Sequence, residues 1–197
     1  ERAVAEGIFA NTGLVPSPQV HTALLRLAHS EAYIDDVVQG RLSVEAMRRI
    51  GIPWSDILVA RSLATVGGSL AAARDALHHG IAGQLAGGTH HAHRDFGSGY
   101  CVFNDLAVTA LELMREGAAS RITILDCDVH QGDGTAAILR DVAAVQTISI
   151  HGATNFPFRK VASDVDIALA DGTGDAEYLA ALDGALEFDD FLGVGAA

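Results

Sequence analysis

The chain has 197 residues, 49% of them hydrophobic and 19% charged, which is an ordinary globular balance and enough chain for one domain with a substantial core. Thirteen basic residues against twenty-five acidic ones give a formal charge of −12. That excludes general nucleic-acid binding, because no basic stripe is present to release counterions, and it suits a cationic substrate. The two cysteines, Cys101 and Cys127, form no CxxC pair, and no secretory leader or bilayer-length apolar run stands out. A reducing, cytoplasmic setting away from membranes is the expectation.

The first residue is Glu1 and the opening stretch reads as the inside of a helix, so the start of the domain is expected upstream. A helix is predicted from Thr22 to Val38, with Gly40 as its stop. Ser55 then caps a long Ala/Leu-rich helix running to His79 and closed by Gly80. Gly67-Gly68 inside it predicts either a kink or close packing. IAGQLA, residues 81–86, reads as a short buried strand before Gly87-Gly88. Asn104 caps a further helix whose Leu106, Ala110, Leu113 and Met114 share one face, ending at Gly117. A strand over 121–128, a short helix from Thr135 to Leu139 and a strand VQTISI over 145–150 follow. Asp175 to Phe188 reads as a helix, and FDDFLGVGAA begins where another strand would start. Strand, helix and strand with short connections predict an α/β fold on a parallel sheet. In such sheets ligands collect beyond the carboxyl ends of the strands, where the GGTHH and DCDVH segments both fall.

The chemistry concentrates in residues 121–134, RITILDCDVHQGDG. If strand alternation continues to the end of this run, Asp126, Asp128 and His130 share one face while Cys127 and Val129 face away. Two carboxylates and an imidazole gathered at a strand end are costly without a compensating ion, and a divalent metal is the obvious one. In GGTHHAH, residues 87–93, adjacent histidines follow a Gly-Gly turn that permits close approach of a ligand or of backbone. They would bind metal, shuttle protons or cap backbone groups. GSGYCVFND, residues 97–105, is a Gly-rich loop entering a helix but lacks the lysine of a phosphate loop. The remaining histidines carry less: His78 and His79 sit at a helix C-terminus, His21, His29 and His93 read as surface or capping groups, and His151 as structural. Cys101 and Cys127 read as small buried residues.

Together GGTHHA, GSGYCVFND, ILDCDVHQGDGT, TISIHGATNFPF and the acidic DGTGD loop at 171–175 resemble the zinc-dependent histone deacetylase family of the arginase/deacetylase superfamily, over residues 20–187. Gln131 and HGATNFPF are most similar to bacterial relatives of the small class IV branch. The resemblance implies a three-layer αβα fold with a mostly parallel sheet, a single domain over 1–197 that is partial at both ends. It implies that Asp128 and His130 are two of three zinc ligands, with Fe(II) able to occupy the same site. His91 would be the principal general base and acid, oriented by Asp133, and His90 an electrostatic assistant oriented by Asp126. Gly99 and Tyr100 would line an acyl-lysine channel with Phe156 as the facing wall, although Phe156 reads equally well as core. Asp126, Asp128, His130, Ser149 and Ile150 would hold a structural potassium ion. The substrate would be an acylated lysine of a protein, or a small acylated amine, and the resemblance leaves oligomeric state open.

The family's third zinc ligand comes from a later AGxD-type segment and its transition-state tyrosine from a GGGY-type loop, neither of which is found here. Asp189 and Asp190 precede the matching strand and Tyr178 lies in a predicted helix, so none of them is assigned. These residues alone are therefore expected to be weakly active or inactive as a deacetylase. The alternatives are a non-catalytic remnant of the fold serving in binding or assembly, and metal storage by the histidines, which would not need Asp126 and Asp133.

Overall fold

The computed structural model describes residues 14–187, so the FDDFLGVGAA stretch and the opening helix expected near Glu1 lie outside them. The elements in order are α1 (Thr22–Leu25), α2 (Glu31–Val38), α3 (Val44–Ile50), α4 (Asp56–His79), α5 (Asp105–Arg115), β1 (Ile122–Asp126), α6 (Asp133–Leu139), β2 (Val145–Gly152), β3 (Val165–Leu169) and α7 (Asp175–Glu187). The three strands form a parallel sheet in the order β1-β2-β3, with Asp126 opposite Ser149 and Ile150 opposite Ile167.

Alternation along the strands divides the core in two. Ile122, Ile124 and Val145 pack with Tyr33, Ile34, Val66, Val108 and Leu139 from α2, α4, α5 and α6. Leu125, Ile148, Ile150 and Ile167 face Ala181, Leu182 and Ala185 of α7. Helices on both faces of a parallel sheet are the three-layer α/β arrangement that the sequence predicts.

The caps behave as expected. Ser55 Oγ accepts from Leu58 N at 3.0 Å to open α4, and Asn104 Oδ1 accepts from Ala107 N at 2.9 Å to open α5. Gly67 and Gly68 serve close packing: α4 runs unbroken through them, and a Cβ on Gly67 would overlap the Pro18 carbonyl while one on Gly68 would overlap the Gln84 amide. By length and composition α4 is apolar enough to cross a membrane, contrary to the sequence reading, yet its Leu58, Val59 and Val66 belong to the core.

Four features differ from the sequence reading. The helix predicted over Thr22–Val38 is broken between α1 and α2, because Ser30 N donates to the Arg94 carbonyl at 3.0 Å instead of continuing the helical ladder. The 81–86 run is not a strand: Ile81 and Leu85 are exposed, and no strand lies beside them among the described residues. An apolar run without a neighbour has no ladder to join. β3 was not anticipated, although Val165, Ile167 and Leu169 alternate with Asp166 and Ala168 in the strand period. Nor was α3, which Ser43 opens by accepting from Ala46 N at 3.2 Å.

His29 explains why the chain breaks where it does. It is 1% exposed, its Nδ1–H donates to the His93 carbonyl at 2.9 Å, and its Nε2 accepts from Asn104 N, also at 2.9 Å. A backbone N–H can only donate, so Nε2 is bare and the ring is neutral. His29 is thus an internal tie between the histidine loop and the start of α5, not a surface group. Burial pushes its pKa from 6.5 down to about 4, against the pull of the His93 carbonyl.

The unfolded chain takes a proton at His29 below pH 6.5, whereas the fold refuses it until about pH 4. Its contribution is therefore complete above the upper value and is lost as the pH falls through that window, a change of about 3 kcal/mol. His29→Gln is expected to lower the urea midpoint at neutral pH and to flatten its dependence on pH across the window. Equal slopes for the two proteins would show that the ring is not held neutral.

Candidate active site

β1 ends at Asp126, and two side-chain turns then aim the next two functional groups. Asp126 Oδ1 accepts from Asp128 N at 3.0 Å, and Asp128 Oδ1 accepts from His130 N at 2.8 Å. Aspartates commonly turn the chain this way. The gathering of Asp126, Asp128 and His130 therefore comes from these turns, since strand alternation stops at Asp126. Cys127 falls on the bend and is exposed, contrary to its reading as a buried residue, while Cys101 is buried.

The histidine loop has no regular structure of its own, and α5 and α6 hold it. Asp105, fully buried in the first turn of α5, accepts from Gly88 N at 3.0 Å, from Thr89 N at 2.7 Å and from the Ser69 hydroxyl. Asn104 Nδ2 donates to the Ala92 carbonyl at 3.1 Å, and Thr135 N of α6 donates to the His90 carbonyl at 3.1 Å. Gly132 allows α6 to come this close, because a Cβ there would overlap Asp126 Oδ2.

Two buried histidine–aspartate pairs result. His90 Nδ1–H donates to Asp126 Oδ2 at 2.5 Å, and His91 Nδ1–H donates to Asp133 Oδ1 at 2.6 Å. The two rings lie 4.0 Å apart between centroids. An ionised carboxylate only accepts, so each ring carries its proton on Nδ1 and keeps Nε2 free. Burial works against charging His90, but the Asp126 hydrogen bond and the charges of Asp126, Asp128 and Asp133 outweigh it and raise its pKa above 6.5. Burial likewise opposes ionising Asp133, yet the bonds from His91 and His93 bring its pKa down to about 2.

Asp128 and His130 stand at the open side of these pairs, with side chains 51% and 42% exposed and Asp128 Oδ1 2.9 Å from His130 Nδ1. Carboxylate oxygen and imidazole nitrogen are both zinc donors. Among the described residues no third His, Cys, Asp or Glu converges with them, so they fit two of the three protein positions that a catalytic zinc uses. His90 Nε2 lies 3.9 Å from Asp128 Oδ1.

Gly99 and Phe156 close in on His91. The Phe156 ring meets the His91 ring edge-on at 4.9 Å, and Gly99, at φ +53°, would place a Cβ 2.7 Å from His91 Cδ2 and 3.3 Å from Phe156 Cε1. Tyr100 is 72% exposed and rests its ring over Gly51. Gln131 fastens the loop that carries Phe156: its Nε2 donates to the Val161 carbonyl at 2.8 Å and its Oε1 accepts from Val161 N at 2.9 Å. Ser149 and Ile150 lie on β2 beside the end of β1, and the Ser149 hydroxyl is 3.0 Å from His151 Nδ1. His151 stays buried on β2, and His78 and His79 remain at the end of α4. Tyr178 lies in α7, with its hydroxyl 3.5 Å from the Cys127 carbonyl.

His93 is the site residue that sequence reasoning missed. Its Nε2–H donates to Asp133 Oδ2 at 2.9 Å, so it belongs to the His91–Asp133 pair. The third histidine of GGTHHAH was the available signal.

The histone deacetylase domain profile matches residues 1–188. An uncharacterized protein of Picosynechococcus is 45% identical over 179 residues, covering 88% of this chain and 60% of that protein. Acetylpolyamine amidohydrolase 2 of Pseudomonas aeruginosa is 45% identical over 69 residues, covering 35% of this chain and 20% of the enzyme. The crystal structure of an HDAC homolog from Aquifex aeolicus superposes with a TM-score of 0.81 at 26% identity, over 94% of this chain and 55% of that one. The chain thus spans between half and two thirds of the length of the Picosynechococcus protein and of the Aquifex structure.

Replacing Asp105 by Ala strands the Gly88 and Thr89 amides and the Ser69 hydroxyl. Bonds to a charged acceptor are worth about 1.5–3 kcal/mol each, so a loss of roughly 3 kcal/mol or more is expected in urea unfolding. A loss below about 1 kcal/mol would show that the loop is held by other means.

Proposed function

Because the chain belongs to the histone deacetylase family, we propose that it carries the acid–base half of a zinc-dependent deacylase site, one that hydrolyses an acyl group from a lysine side chain or a small amine. One observation carries this reading: two buried histidine–aspartate pairs stand side by side next to an Asp–His donor pair. The family match over residues 1–188 favours this reading over a non-catalytic remnant of the fold. Metal storage would not need the Asp126 and Asp133 partners that His90 and His91 have here.

In this reading His91 is the proton carrier. With Nδ1–H fixed on Asp133, its Nε2 takes a proton from the attacking water and returns it to the leaving amine. Asp133 fixes the tautomer and favours the imidazolium formed midway. His90, held by Asp126 and biased towards its charged form, offsets negative charge that develops on the reacting carbonyl. Gly99 lets its loop close on His91 and Phe156, where a Cβ would meet both rings, and in this reading Gly99 and Phe156 form the walls against which an extended acyl-amine would lie. Tyr100 takes the rim.

Asp128 and His130 would hold the metal. Zinc, when bound, lowers the pKa of its water to about 7 and polarises the amide carbonyl, and Fe(II) is accepted by the same donors. The potassium site expected from Asp126, Asp128, His130, Ser149 and Ile150 is part of the proposal. Its support is the register that sets Asp126 beside Ser149.

Two features favour an amine-bearing substrate. Asp126, Asp128 and Asp133 have only histidine ion-pair partners among the described residues, so their charge is not neutralised by a paired lysine or arginine. The similar Pseudomonas enzyme is named for acetylated polyamines. The free thiols of Cys101 and Cys127 support a reducing, cytoplasmic setting.

The test is zinc-reconstituted hydrolysis of an acetyl-lysine peptide and an acetylated diamine, by this chain and by the full product of its gene. His91→Ala is expected to lower kcat/KM by about 10²–10⁴-fold while zinc still binds. Asp128→Ala is expected to abolish zinc binding measured by calorimetry. Turnover that survives chelation, or that is unchanged in His91→Ala, would overturn the proposal.

A further inference from the structure

His93 is built into the fold more firmly than a loop side chain requires. Its N–H donates to the Phe96 carbonyl at 2.9 Å, and its carbonyl accepts the His29 Nδ1–H at 2.9 Å. The ring stacks on Phe96 with centroids 4.3 Å apart and planes 17° from parallel. The Arg49 guanidinium lies 4.8 Å from the centre of the same Phe96 ring. Backbone and ring are therefore both fixed, and together they place Nε2 on one oxygen of Asp133 while His91 occupies the other.

The terminal torsion of an aspartate is broad and roughly two-fold, so a carboxylate with a single partner can turn and present either oxygen. A second donor on the far oxygen removes that freedom. Both oxygens only accept, so both rings must donate, and neither can do so from its other tautomer without giving up its bond.

We propose that His93 is a positioning residue: it pins Asp133 so that Oδ1 stays on His91 Nδ1, which keeps His91 in the tautomer whose Nε2 is free to work. This rests on the reading of His91 as the proton carrier, but its geometry and its test do not depend on turnover. Phe96 and Arg49 act through His93, as the stack that sets its ring plane.

The test is the ring ¹H–¹⁵N spectrum of the histidines in the whole 197-residue chain at neutral pH. The wild type is expected to show slowly exchanging Nδ1–H signals for both His90 and His91. His93→Phe keeps an aromatic ring against Phe96 and removes the donor. It is expected to speed exchange of the His91 Nδ1–H roughly tenfold, the equivalent of one buried hydrogen bond, and to bring up the Nε2–H tautomer. The His90 Nδ1–H, held by Asp126, is expected to stay as it was. His93→Gln offers a neutral donor and is expected to restore slow exchange at His91.

An unchanged His91 signal in His93→Phe would overturn the proposal, as would a Gln variant that fails to restore it. Equal disturbance of His90 and His91 would do the same, because the effect would then be general loosening. A chain with no hydrolytic activity that nonetheless shows this pattern would leave the clamp standing and count only against the deacylase reading.

Discussion

A carboxylate withdrawn from water must find donors, and three such carboxylates, Asp105 and Asp133 buried and Asp126 partly so, decide where the histidine loop lies. Asp105 comes from the start of α5, Asp126 from the end of β1 and Asp133 from the start of α6. Asp105 takes the Gly88 and Thr89 amides, Asp126 takes His90, and Asp133 takes His91 and His93. Ordering a loop costs about 1–2 kcal/mol per residue, while a hydrogen bond to a charged acceptor returns about 1.5–3. The loop is therefore ordered because Gly88, Thr89, His90, His91 and His93 each donate to one of these carboxylates. The dependence runs both ways, since the loop supplies every hydrogen bond described for the Asp133 carboxylate and most of those for the Asp105 carboxylate.

The sheet supplies the frame for this arrangement. β1 and β2 set Asp126 beside Ser149, and α6, returning between the two strands in sequence, brings Asp133 and Thr135 back against the histidines. The histidine–aspartate pairs are thereby preorganised, with the His90 and His91 side chains 7% and 5% exposed. Asp128 and His130 lie further out, on the turns beyond the last strand residue. Preorganised groups are what a proton transfer needs, because their orientation cost has been met on folding. An Asp–His pair open to solvent suits an ion that must enter, exchange and keep a position for water.

Much of this was legible in the sequence. Ser55 and Asn104 announce their helices because a capping side chain leaves a local signature, and DCDVH at a strand end announces a site because its charges cannot be hidden cheaply. Residues that act through distant contacts were not legible. His29 and His93 read as isolated polar residues, yet one ties Asn104 to the histidine loop and the other completes the Asp133 pair. Nothing local distinguishes such a histidine from a surface one. The 81–86 run fails for a related reason, since apolar composition is necessary for a buried strand but a neighbouring strand is what makes one. β3 was within reach, because the alternation of VDIAL is a local pattern.

The charge of the site also bears on what it can bind. Asp133 is held at a pKa of about 2 and Asp128 is held below its usual range, the latter against its own burial by the His130 amide and the His90 ring. At neutral pH these carboxylates stay ionised, and a charge on His90 cancels only one of them. The remaining negative potential favours cations over anions at this end of the sheet. An anionic nucleophile arriving from solution would meet repulsion, whereas a water molecule deprotonated in place would not. The carboxylates that order the loop thus also set the sign of the potential around it, and the proposed hydrolysis by a water deprotonated in place is the chemistry that this sign suits.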